Sequence, residues 1–128
     1  MSDGHILRAL RGATTVAADD GAQIREATAE LLTAVLGRNA VDGERIVSMW
    51  FTATPDLRAE FPAVAAREMG MNRVPLMCAA EMDVPGSLPR CVRLMMHCYM
   101  EPGREPRHVY LRDAVRLRPD LASEADVQ

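Results

Sequence analysis

Arg93 lies inside the apolar run Cys91-Val92-Arg93-Leu94-Met95-Met96-His97-Cys98-Tyr99. Such a run reads as a buried strand, and a guanidinium there cannot shed its proton to escape the cost of burial. It needs an acid beside it or an anionic ligand. Both readings stand on these residues, and the other arginines favour the second. Arg11 ends a first strand, Arg67 projects from a second helix, and Arg118 follows the last apolar stretch. Taken alone, Arg67 reads as an ordinary solvated charge. Several converging guanidinium forks would hold a small dianion or dicarboxylate in one orientation.

The stretch Cys78-Ala79-Ala80-Glu81-Met82-Asp83 offers a thiol and a carboxylate. A nucleophilic Cys needs a base and an orienting group. His97 and His108 exist, but no spacing brings them to Cys78, so Cys78 reads first as a small buried residue. Glu81 is either a loop carboxylate or the counter-charge of an Arg-rich pocket. His5, His97, His108 and the three Cys show no metal-ligand spacing, so no metal is expected. No Gly-rich phosphate loop or GxSxG elbow is present, and no cofactor is expected.

Composition narrows the partners. The 128 residues suffice for one core, and 48% hydrophobic with 26% charged suits a globular chain. Aromatics are 4%, so the core is aliphatic, with nine Met as adaptable filler. A net charge of -3 argues against nucleic acid. Every basic side chain counted is Arg, a planar fork suited to carboxylates. Three Cys without scaffold spacing, no apolar segment of spanning length and no secretory h-region give the expectation of a cytoplasmic chain away from membranes.

The elements that must position these residues follow from periodicity. Ile6 to Val16 predicts a strand. Asp20 and Gln23 are spaced as a capping box, Ile24, Ala27, Leu31, Ala34 and Val35 share a helical face, and Gly37 is the expected stop. Arg45 to Ala53 predicts a second strand. Pro62 opens a helix over Ala63 to Met69, ended by Gly70. Arg73 to Cys78 predicts a third strand, and Pro85-Gly86 a type II turn. The long strand Arg90 to Met100 turns at Pro102-Gly103, with Arg107 to Leu111 as an antiparallel partner and Ala114 to Leu117 as a last short strand. The fold class is α/β (α+β): a mixed sheet with helices packed on one face. The domain is expected over 1–121, with a polar tail over 122–128. Both faces of the long strand carry apolar bulk, and two helices cover one, so another subunit is expected to cover the second.

The chain resembles the monofunctional chorismate mutases of the trimeric α/β type. The resemblance rests on Arg11-Gly12-Ala13-Thr14-Thr15-Val16, Ala53-Thr54-Pro55-Asp56-Leu57, Phe61-Pro62-Ala63, Cys78-Ala79-Ala80-Glu81-Met82-Asp83-Val84, Arg93-Leu94-Met95-Met96, Arg107-His108-Val109-Tyr110-Leu111 and Leu117-Arg118-Pro119-Asp120-Leu121, in the family's order. It implies a homotrimer forming a pseudo-α/β-barrel, with sites in the subunit clefts, and conversion of chorismate to prephenate. It implies that Arg11 and Tyr110 hold a substrate carboxylate and that Arg93 faces the breaking ether oxygen. Glu81 and Cys78 would sit by the ring and its hydroxyl. Phe61, Ala63, Leu76, Met77 and Leu117 would wall the pocket, with Arg67 and Arg118 at its mouth. One neighbour would supply the Phe61 to Glu81 region, and the other Arg11, Arg93, Tyr110 and Leu117. Where relatives often carry a lysine after Phe-Pro-Ala, this chain has Val64.

The implied reaction moves no proton and needs no covalent intermediate, which accounts for the missing nucleophile–base pair. Two other readings use the same Arg set: a trimeric binding module without activity, and an imine or enamine deaminase of similar fold. The motifs around Cys78 to Glu81 and Arg107 to Leu111 do not resemble the deaminases.

Overall fold

The computed structural model describes residues 4–117. Arg118 and the expected tail over 122–128 lie outside the described residues. Strand β1 covers Ile6–Thr15, helix α1 Gly21–Asn39, β2 Ile46–Ala53, α2 Ala63–Glu68, β3 Leu76–Ala80, β4 Cys91–Met100 and β5 Val109–Tyr110. The five strands form one mixed sheet in the order β3-β2-β4-β1-β5. Central β4 is antiparallel to both β1 and β2, while β2/β3 and β1/β5 are parallel pairs.

Helix α1 starts as its sequence requires. Asp20 is extended and its side chain accepts from the Gln23 amide at 3.0 Å, satisfying one of the helix's orphan donors. The buried stripe is Ile24, Ala27, Thr28, Leu31, Leu32 and Val35. It packs on Leu10, Met49, Phe51, Val92, Leu94 and Met96 from the sheet, and Ala63 and Ala66 of α2 join the same core. Gly12 marks the closest approach. A Cβ there would meet Leu31 Cδ1 at 3.0 Å and Val109 O at 3.3 Å, so a larger residue would press α1 and β5 away from β1 by a few tenths of an ångström.

Several boundaries differ from expectation. Helix α1 runs through Gly37 to Asn39, and Ala40 takes the left-handed cap at φ 50. The extra turn is held by Asn39, which is fully buried. Its Nδ2 donates to Val35 O and Arg107 O, each at 2.9 Å, and its Oδ1 accepts from Arg107 N at 2.7 Å. Strand β3 begins only after Pro75, which cannot donate to a ladder, and runs on to Ala80.

The chain does turn at Gly103 (φ 84) and come back. Both edges of β4 are taken, so the returning segment pairs with the outer edge of β1, in parallel. An antiparallel partner of β4 is therefore excluded by crowding. The expected last strand is instead a 3₁₀ helix, Arg112–Leu117, pinned by Ala114 against Ala13, Cys91 and Tyr110.

The side chains of β4 alternate. Val92, Leu94, Met96 and Cys98 are buried under the helices, while Arg93 is exposed and Met95, His97 and Tyr99 are half-buried. The run is thus buried on one face only. On the open face Leu7, Trp50 and Met77 remain 52%, 40% and 67% exposed.

Asn39 ties the end of α1 to the segment entering β5. Replacing it by Ala strands the Arg107 amide and carbonyl and leaves a small void, so Asn39→Ala should lower unfolding free energy by about 1–3 kcal/mol. Urea titration followed by circular dichroism checks this; an unchanged midpoint contradicts it.

Candidate active site

Strand order assembles a group of side chains that lie far apart in the chain. Arg93 on β4 is flanked by Thr52 on β2 and Ala13 on β1, its direct partners in the ladders. Glu81 follows β3 and extends the ladder by one residue, its amide donating to Ala53 O at 2.9 Å. Tyr110 on β5 stands opposite Ala13. One row across the sheet therefore reads Ala79, Thr52, Arg93, Ala13, Tyr110, with Glu81 two residues past Ala79 on the same face. The next row places Trp50, Met95 and Arg11 side by side.

These residues line a cavity of about 370 Å³, together with Gly12, Leu94 and Leu117. The volume falls in the range of small-molecule sites, about 300–1,000 Å³. Ala13 leaves space beside the guanidinium that a larger side chain would fill. Tyr110 and Leu117 are held there by the 3₁₀ helix, where the Asp113 amide donates to Thr15 Oγ1 at 3.2 Å and Arg112 reaches Thr15 O and Glu30.

The site carries opposite charges in close approach. Arg93 Nε lies 3.5 Å from Glu81 Oε2, with the two side chains 50% and 25% exposed. That separation exceeds the 2.7–2.9 Å of a charge-assisted hydrogen bond. The same Oε2 accepts from the Thr52 hydroxyl at 2.7 Å, and Oε1 from the Met82 amide at 3.4 Å. Arg93 thus has an internal acid and a cavity beside it, so the two readings of the sequence are not exclusive. Arg11 has no ion pair among the described residues; its amide donates to His108 Nδ1 at 3.0 Å.

The start of β4 is fixed by the Thr54-Pro55-Asp56 turn. Thr54 Oγ1 accepts from the Cys91 amide and Asp56 Oδ2 from the Arg90 amide, each at 2.9 Å. Arg93 is two residues further on. Burial pushes the Cys91 thiol up, against the opposing charge of Arg93. Burial also pushes Cys98 up to about 11. Neither thiol is a thiolate near neutrality.

The remaining sequence candidates lie elsewhere. Cys78 shares the face of Phe51 and, with Phe61, lines a separate cavity of about 420 Å³ along Leu57, Arg58 and Ala80. Phe61 is 67% exposed at its rim. Leu76 packs against the core. Met77 stands on the open face at the sheet edge, and Arg67 is exposed on α2. Ala63 is 2% exposed because the first turn of α2 is tucked into the core, so its side chain offers no pocket wall within the chain.

Glu81 departs from the implied division between neighbours. It belongs to the cavity of its own chain's Arg93, because β3 lies only one strand from β4. Thr52, Trp50 and Met95 were not singled out by sequence. Alternation along β2 puts Trp50 and Thr52 on one face, but their register against Arg93 is invisible without the sheet.

Residues 7–121 match the chorismate mutase type I family. The chain belongs to that family. It is 49% identical over 120 residues to a chorismate mutase AroH of Thermus thermophilus, covering 92% of this chain and 98% of the relative. It is 45% identical over 119 residues to the AroH chorismate mutase of Bacillus subtilis, covering 91% and 94%. A solved chorismate mutase from Clostridium thermocellum superposes with a TM-score of 0.79 at 44% identity, covering 84% of this chain and 96% of that one. The mixed sheet with helices on one face is thus the architecture of that enzyme as well.

Proposed function

We propose that the Arg93 cavity converts chorismate to prephenate, the reaction of this family and a step toward phenylalanine and tyrosine. The observation that carries the reading is the fixed pair of opposite charges, Arg93 and Glu81, on one wall of a cavity with Arg11 and Tyr110 nearby. In the rearrangement one carbon–oxygen bond breaks while a carbon–carbon bond forms. Negative charge grows on the ether oxygen and positive charge on the ring. Arg93 suits the first and Glu81 the second, and charges aimed at developing charge need no reorganisation during the reaction. Arg11 and Tyr110 hold a carboxylate, and Leu117 closes the wall, so that the flexible side chain is kept in the compact conformer.

The site is completed in a homotrimer, with the sheets packed into a pseudo-barrel and the chain acting as one domain. Support comes from the open sheet face carrying Leu7, Trp50 and Met77, which is too apolar to leave in water. Support also comes from the second cavity. Phe61 and Cys78 lie apart from Arg93 within one chain, and a neighbour can bring its own copies of them, with Arg67, to the Arg93 cavity. The three free thiols suit a reducing cytoplasm. The alternatives, a binding module without activity and a deaminase, have no observation in their favour.

Mixing the protein with chorismate and following the loss of ultraviolet absorbance tests the reading; no loss above the spontaneous rate refutes it. Arg93→Ala should lower kcat by at least about a hundredfold, since one oxyanion donor is worth about 3–4 kcal/mol. Near-normal turnover would remove Arg93 from the chemistry. The rate should be nearly flat from mildly acidic to mildly alkaline pH, because no proton is transferred and burial keeps Cys91 protonated through that range. A bell-shaped profile about neutrality would bring His97 or His108 into the mechanism. Light scattering should give three times the chain mass; a monomer at working concentration would contradict the shared site.

A further inference from the structure

We propose, building on the reading above, that Thr52 is a positioning residue that keeps Glu81 from neutralising Arg93. A carboxylate and a guanidinium at neighbouring positions of a half-open cavity ordinarily close into a bidentate fork. Here they do not. The nearest approach is 3.5 Å, through Nε. The cause is visible at the carboxylate. Thr52 Oγ1 donates to Oε2 at 2.7 Å, and the Met82 amide reaches Oε1 at 3.4 Å. Both oxygens are engaged from the Glu81 side of the site, one firmly and one loosely.

Thr52 can do this because of where the sheet puts it. It is the ladder partner of Arg93 and also of Ala79, two residues before Glu81. Its neighbour Phe51 is buried in the core, which fixes the face on which the Thr52 hydroxyl emerges. The hydroxyl has one proton to donate, and it is donated to Glu81 Oε2.

The consequence is electrostatic. A closed Arg93–Glu81 fork would occupy the donors of Arg93 and cancel its field where the ether oxygen must gain charge. Without that fork, Arg93 keeps donors free for the ether oxygen while Glu81, 3.5 Å away, faces the ring. Thr52 touches no reacting atom in this account and acts through Glu81.

Thr52→Val keeps the shape and loses the proton; Thr52→Ser keeps the proton. T52V should lower kcat at least about tenfold, with KM changed less than about threefold and an unchanged Tm. T52S should restore kcat to within about threefold. Trp50 is the single tryptophan and lines the cavity, so its fluorescence reports binding of a bicyclic dicarboxylate transition-state mimic. T52V should weaken that binding about tenfold in the otherwise unaltered chain and less than about twofold in an E81A background.

A T52V enzyme with kcat within twofold of the parent overturns the proposal. So does equal loss in T52V and T52S, or the same loss of mimic affinity with and without Glu81. Those results leave the chorismate reading intact when the parent turns over chorismate. A parent without turnover fails that reading first.

Discussion

Strand β4 is paired on both sides, and that pairing is the constraint on which the site depends. Its register sets Ala13 and Thr52 against Arg93. A slip of one residue would turn Arg93 into the helix-covered core and Leu94 onto the open face. The slip is prevented by burial, since Val92, Leu94, Met96 and Cys98 fill the space under α1. It is also prevented at the start of the strand, where Thr54 and Asp56 bind the amides of Cys91 and Arg90. The same packing that stabilises the fold therefore aims the guanidinium.

The open face combines two functions that ordinarily conflict. It carries apolar side chains that call for cover, and it carries charges that must remain available. The sheet separates them in part along the strands, with Trp50 shared because it also lines the charged cavity. Arg93, Glu81 and Thr52 lie toward one end, beneath Tyr110 and Leu117, while Leu7, His97 and Tyr99 lie toward the other. In the trimer proposed above, a subunit seated on the apolar end leaves the charged end as a cleft.

Much of the fold was legible in the sequence because local rules carried it. Periodicity gave α1, and Asp20 its cap. Alternation gave the two faces of β4, and glycine positions gave the turns at Gly86 and Gly103. The misreadings had long-range causes. Helix α1 outran Gly37 because Asn39 found partners at Arg107, 68 residues on. The segment after Gly103 became parallel to β1 because β4 had no free edge. Within one chain Arg93 is 50% exposed, because its apolar neighbours alternate away from it onto the covered face.

For the site, residue types alone pointed to Arg93, Arg11 and Glu81, while motif order pointed to the family and, through it, to Tyr110. An unneutralisable cation in an apolar run demands a partner whatever the fold, so its chemistry was readable locally. Which acid it meets, at what distance, and what holds that acid back were decided only by tertiary structure. Strand order brings Glu81 within reach across Thr52, and a hydrogen bond between neighbouring strands is invisible to any pattern within one strand. The parting of Cys78 from Arg93 into a second cavity follows from the pleat, because Cys78 shares the helix-covered face of Phe51 while Arg93 stands on the open face with Thr52.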